Sequence, residues 1–159
     1  MSIRSGAKAL LLQNGKILLN RCRHADGSIY YDLPGGGQMQ HEPLEQALLR
    51  EVREETGLGV RIVRFAALSE EIYTSPSLQT SFPDYTHRVL HIFLAEPTGE
   101  TFPAVETDIG MEGFEWIPLE AVPSLPELCP HALQTRLSEV LSSPNALFLG
   151  TEFNAREEP

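Results

Sequence analysis

The sequence predicts an α/β fold in which a mixed β-sheet lies between helices. Three observations predict it. Apolar runs rich in β-branched and aromatic residues recur along the chain, bounded by turn signals such as Asn14-Gly15 and Asp26-Gly27. One amphipathic segment, from Pro43 to Gly57, interrupts those runs. A second segment with helical spacing, at Leu133, Leu137, Val140 and Leu141, follows the last of them.

In chain order, Ala7 to Leu12 and Lys16 to Arg23 flank Gln13-Asn14-Gly15, and Asn-Gly between two such runs predicts a β-hairpin. His24 to Ser28 is polar and predicts a loop, and Ile29 to Leu33 a short strand ending at Pro34. Gly35-Gly36-Gly37 predicts a loop whose backbone can approach a ligand closely. The helix is expected to begin at Pro43, a favoured first position, and to stop at Gly57, a favoured residue after a helix. Val60 to Ile72 and Thr86 to Ala95 predict strands, and the twelve residues from Thr74 to Tyr85 a long loop of the kind that carries function. Glu96 to Gly113 reads as irregular and acidic, Phe114 to Leu119 as a strand with Trp116 in the core, and Leu119 to Glu127 as at most short helix. The domain is expected to span residues 1–145, with residues 146–159 as a C-terminal tail.

At 159 residues the chain suits one domain, and its 42% hydrophobic content is that of a globular protein. No apolar run approaches the roughly 18 residues a membrane helix needs. Two cysteines, Cys22 and Cys129, form no disulfide framework and no metal-ligand spacing, so both are expected to be reduced thiols in a cytoplasmic protein. The net charge of −10 argues against a partner that is a long nucleic acid, which selects for a basic stripe.

The chemistry concentrates between Gly36 and Leu58. Glu51, Glu54 and Glu55 share one helix flank at i, i+3 and i+4, beside an apolar stripe of Leu48, Leu49 and Val52. Like charges so placed repel, and a hard cation with oxygen ligands, Mg²⁺ or Mn²⁺, relieves them. Arg50 lies four residues before Glu54 and can pair with it along the helix.

This stretch resembles the Nudix box. All nine constrained positions of the 23-residue pattern are met, at Gly36, Glu42, Arg50, Glu51, Val52, Glu54, Glu55, Gly57 and Leu58. Only Gln38 to His41 depart from the usual turn, at unconstrained positions. The resemblance implies an α/β/α sandwich and a Mg²⁺-dependent pyrophosphohydrolase cutting a nucleoside diphosphate linked to another group. The substrates it implies are a nucleoside triphosphate, ADP-ribose or a nucleotide sugar. It implies Gly36, Glu51, Glu54 and Glu55 as metal ligands and Glu42 as a helper, through a water or by bracing the loop–helix junction. Arg50 would orient a catalytic carboxylate. The base is a box glutamate, Glu51 or Glu54, or an acid from the stretch Glu106, Asp108, Glu112 and Glu115. Among the loop acids Glu112 is preferred, because Gly110 and Gly113 suggest mobility there. Arg21 and Arg23, on one face of the second strand, are candidate phosphate contacts, and Tyr73, Phe82 and Tyr85 candidate stacking partners for a base. Subfamily markers conflict: Tyr73 is fifteenth and Pro76 eighteenth after Leu58, each near the other's usual place. Many relatives are homodimers, which leaves room for one here. The alternative reading is a nucleotide-binding or regulatory module on the same fold. Such modules usually lose a box carboxylate, and this chain has lost none.

Overall fold

The computed structural model describes residues 2–105 and 110–156. Strand β1 (Arg4–Gln13) turns through Asn14 and Gly15, both at positive φ, into the antiparallel strand β2 (Lys16–Arg23), as the Asn-Gly signal requires. Two short strands follow and join this pair. Strand β3 (Ile29–Asp32) pairs with β2, and β4 (Gly35–Gly37) pairs with β1. The triple glycine is thus a strand rather than a loop: without side chains it lies flat against β1.

Helix α1 (Leu44–Thr56) has Pro43 as its cap, one residue outside the expected start, and closes at Gly57, whose φ is 71°. The long bulged strand β5 (Leu58–Tyr73) runs antiparallel to β6 (His87–Thr101), which lies parallel to β1. Six residues of the expected irregular stretch from Glu96 therefore belong to β6. Between these strands, Thr74 to Tyr85 is not a plain loop. Ser75 caps a short helix, α2 (Pro76–Ser81), and a 3₁₀ turn covers Pro83–Tyr85. Ser followed by Pro is itself a helix-start signal. Strand β7 (Met111–Pro118) returns to β2, a 3₁₀ turn spans Leu119–Ser124, and β8 (Leu128–Cys129) joins β3 in parallel. Helix α3 (Ala132–Ser142) and strand β9 (Leu147–Asn154) complete the described chain.

The sheet order is β8-β3-β2-β1-β6-β5-β9, with β4 on β1 and β7 on β2. Alternation along the central strands builds one core on each face. Ala7, Ala9, Leu11 and Leu18 pack on the α1 side with Leu48 and Val52. Leu10, Ile17 and Leu19 pack on the other, with Leu133, Leu137 and Val140 of α3. The result is the expected α/β/α arrangement around a mixed sheet. Trp116 is half-buried against the α1-side core.

The tail expected over residues 146–159 is corrected: β9 pairs in parallel with β5 from Ala67 to Tyr73, and Leu149 is buried in the α3-side core. The alternation was masked because Phe148 and Phe153 are exposed. Leu149→Ala is expected to cost about 2–4 kcal/mol, the range for a truncated core leucine, in urea unfolding. A loose tail gives no change.

Candidate active site

Three elements position the box. Strand β4 brings the Gly36 backbone against α1, so closely that a Cβ there would lie 2.3 Å from Glu51 Oε2. Helix α1 presents Glu51 and Glu54 one turn apart, as the spacing predicts. Arg50 ties them together. Its guanidinium donates to Glu51 Oε1 at 2.7 Å and Glu54 Oε2 at 3.1 Å. It also donates to both oxygens of Glu42, at 2.8 and 3.0 Å, and to the Gly37 carbonyl at 3.0 Å. The pairing with Glu54 was legible from spacing, and the reach to Gly37 was not.

Glu42 also accepts from the Met39 amide at 2.9 Å, so it braces the turn as well as the arginine. His41 completes that turn at φ 66°. Gln38, at the start of the departure from the usual pattern, ties the turn to β1: its side chain accepts from Ser5 Oγ at 2.8 Å and donates to the Glu42 carbonyl at 2.7 Å. The hydrogen bonds from Arg50, with that from Met39, hold the Glu42 carboxyl down to about 2. A folded-state pKa below the ordinary 4.5 contributes stability that is complete above pH 4.5 and lost as pH falls toward 2. Glu42→Gln is therefore expected to flatten the acid limb of a stability-versus-pH curve in that window. An unchanged limb contradicts the reading.

Glu55 is placed differently from its neighbours. It is 6% exposed, and its Oε2 accepts from Asn20 Nδ2 at 3.0 Å and the Gly35 amide at 2.8 Å. Burial pushes its carboxyl up to about 7, against the pull of Lys8. Asn20 Oδ1 is buried with no hydrogen-bond partner among the described residues. Lys8, 8% exposed, donates to Asp32 at 2.8 Å, the Leu33 carbonyl at 3.0 Å and the Gly35 carbonyl at 2.9 Å, so it pins the turn from β3 into β4. Burial lowers its pKa, but Asp32 and Glu55 outweigh that and hold it above the ordinary range. Neither Lys8 nor Asn20 stood out in the sequence, because each meets its partners across more than twenty residues.

The donor set fits a hard cation. Glu51 and Glu54 offer oxygens on one turn of α1, and the absence of a side chain at Gly36 lets its backbone meet them.

The structure places the other candidates as follows. Arg21 neighbours Asn20 on β2, and alternation turns it to the opposite face of the strand from Glu55. There Arg21 and Arg23 share one face, as expected, and both bind Glu112 of β7. The hydrogen bond from Arg23 holds Glu112 below the ordinary carboxylate range, which weakens it as a base. Tyr73 is 6% exposed and its hydroxyl accepts from Arg88 at 3.2 Å, so its ring packs inward rather than meeting a base. Phe82 and Tyr85 are exposed, and Arg4 covers the Tyr85 ring at 4.3 Å. Glu115 carries Arg21 at 3.5 Å. Glu106 and Asp108 lie outside the described residues. Cys22 and Cys129 are unpaired thiols, as expected. Among the described residues no helix is long and apolar enough to cross a membrane.

The fold is the α/β/α sandwich that solved Nudix hydrolases share. A family model, the NUDIX domain, matches residues 3–135. The chain belongs to the Nudix (MutT-like) hydrolase family. It is 33% identical over 85 residues to an RNA pyrophosphohydrolase of Zymomonas mobilis, a match covering 52% of this chain and 55% of that protein. The chain thus spans about half the length of that curated relative. Among solved structures, a MutT NUDIX hydrolase from Burkholderia pseudomallei is 27% identical, with a TM-score of 0.63 over 84% of this chain and 96% of that one. A MutT protein from Bacillus halodurans shares the fold at a TM-score of 0.69, with 18% identity over 98% of this chain and 92% of that one.

Proposed function

We propose that this protein is a Mg²⁺-dependent pyrophosphohydrolase that cuts a phosphoanhydride bond in a nucleoside diphosphate linked to another group. The observation that carries this is the Arg50 hub, which holds Glu51 and Glu54 on one turn of α1 beside Gly36. Glu51, Glu54 and the Gly36 carbonyl would hold Mg²⁺, or Mn²⁺ in its place, and Glu55 would complete the set through the oxygen not engaged by Asn20 and Gly35. When bound, divalent ions supply charge neutralisation on the phosphate oxygens and acidify water. The chain's own contribution is orientation. Arg50 restrains two carboxylates that would otherwise repel and sample many rotamers.

Glu51 or Glu54 takes the proton of the attacking water. Glu112 is disfavoured for that role, because two guanidinium groups already stabilise its charged form. Nucleoside triphosphates, ADP-ribose and nucleotide sugars are the substrate classes. The relative named RNA pyrophosphohydrolase adds RNA to these classes. The net charge of −10 disfavours a long RNA backbone, so recognition would rest on the 5′ end.

The test is phosphate and nucleotide release from a panel of these compounds, with Mg²⁺ and with chelator. Turnover of one class in Mg²⁺ alone is expected. Tight binding of a panel member with no turnover in Mg²⁺ or Mn²⁺ favours the alternative, a nucleotide-binding module.

A further inference from the structure

Away from the box, three different donor types converge at the end of β8. Glu127, Cys129 and His131 alternate in sequence, and one ligand atom of each lies within 4.8 Å of the others. His131 Nε2 is 2.7 Å from Glu127 Oε1 and 3.9 Å from Cys129 Sγ, and Cys129 Sγ is 3.8 Å from Glu127 Oε1. A tetrahedral zinc with bonds of about 2.0–2.3 Å spaces its ligand atoms about 3.3–3.7 Å apart. The three edges bracket that spacing, so shifts well under 1 Å admit the ion.

The surroundings are built in the same sense. His131 turns its other nitrogen, Nδ1, to the Glu152 carboxylate of β9. A carboxylate on the far nitrogen holds the Nδ1 proton, so that Nε2 becomes the ligand once it gives up its own, the usual arrangement behind a metal-bound histidine. The group already collects positive charge: Arg156 donates to Glu127 Oε1 and approaches His24 Nε2 at 2.9 Å. His24 Nε2 is 3.3 Å from the second oxygen of Glu127, which places another imidazole beside the same carboxylate.

We propose that Glu127 Oε1, Cys129 Sγ and His131 Nε2 form a zinc site, separate from the box and selective for a softer ion. A thiolate, an imidazole and a carboxylate suit Zn²⁺, whereas Mg²⁺ takes oxygen. Binding releases two protons to solvent, that of the Cys129 thiol and the one that His131 Nε2 directs at Glu127 Oε1, and moves Arg156 off Glu127 Oε1. The ion joins β8, the start of α3 and, through Glu152, strand β9. The inference does not depend on the pyrophosphohydrolase reading.

The experiment is titration of chelator-treated protein with Co²⁺ and Zn²⁺ in excess Mg²⁺. One Co²⁺ per chain with a thiolate-to-cobalt charge-transfer band is expected. The band is expected to vanish in Cys129→Ser and to persist in Cys22→Ser and Glu54→Gln. Glu152→Gln keeps all three ligands and is expected to weaken Zn²⁺ binding about 10–100-fold. Absence of the band in the parent protein overturns the site. So does a band that survives Cys129→Ser, or Zn²⁺ affinity equal in the parent, His131→Gln and Glu152→Gln.

Discussion

Gly36→Ala is expected to leave the protein folded and to lower turnover about 100-fold, the scale at which misplacing a catalytic group by 1 Å is felt. The added methyl would stand 2.3 Å from Glu51 Oε2 and 2.5 Å from its carboxyl carbon. Those atoms are the far end of a flexible side chain, so Glu51 yields and the strand does not. Gly36 is not among the positive-φ residues, and alanine fits its backbone. Its neighbour gives the contrast. Gly35 has φ 124°, and a Cβ there would lie 2.2 Å from the Ala7 carbonyl, which is backbone and cannot move aside. Gly35→Ala is expected to cost more than about 3 kcal/mol of stability, as an unfavourable φ and a backbone clash combine. Equilibrium unfolding and initial rates on both variants check the pair. Equal loss of stability in the two contradicts the account.

Lys8→Met is expected to destabilise the fold by about 3–4 kcal/mol. That is the lower part of the range for breaking a buried ion pair, because the Asp32 side chain keeps 28% of its exposure while Lys8 keeps 10%. The loss has three parts: the Asp32 pair and the hydrogen bonds to the Leu33 and Gly35 carbonyls. Removing the stranded charge with Asp32→Asn in the same chain is expected to recover part of the loss. A double-mutant cycle by urea unfolding measures it, and simple additivity of the two substitutions contradicts the Lys8–Asp32 pairing.

The features that the sequence made legible are local ones. Asn14-Gly15 must adopt positive φ, Gly57 must end a helix, and Arg50 must reach Glu54 one turn away, because each depends on residues within a few positions. What stayed hidden depends on pairing across the chain. Lys8 meets Asp32, Asn20 meets Glu55 and Arg50 meets Gly37 only once β1, β2 and β4 lie together around α1. The face taken by Arg21 and Arg23 illustrates the same limit. Alternation puts the two side by side, but which face meets the box is decided by Asn20 beside them. Strand β9 shows no legible alternation in the sequence, because one buried residue, Leu149, sits between exposed Phe148 and Phe153.

The most direct test of the central claim compares the parent protein with Glu54→Gln on whichever panel member is turned over. The account predicts a fall in kcat of about 100-fold or more with substrate Kd within threefold, since a box carboxylate serves metal and proton transfer. An unchanged kcat in Glu54→Gln would contradict it.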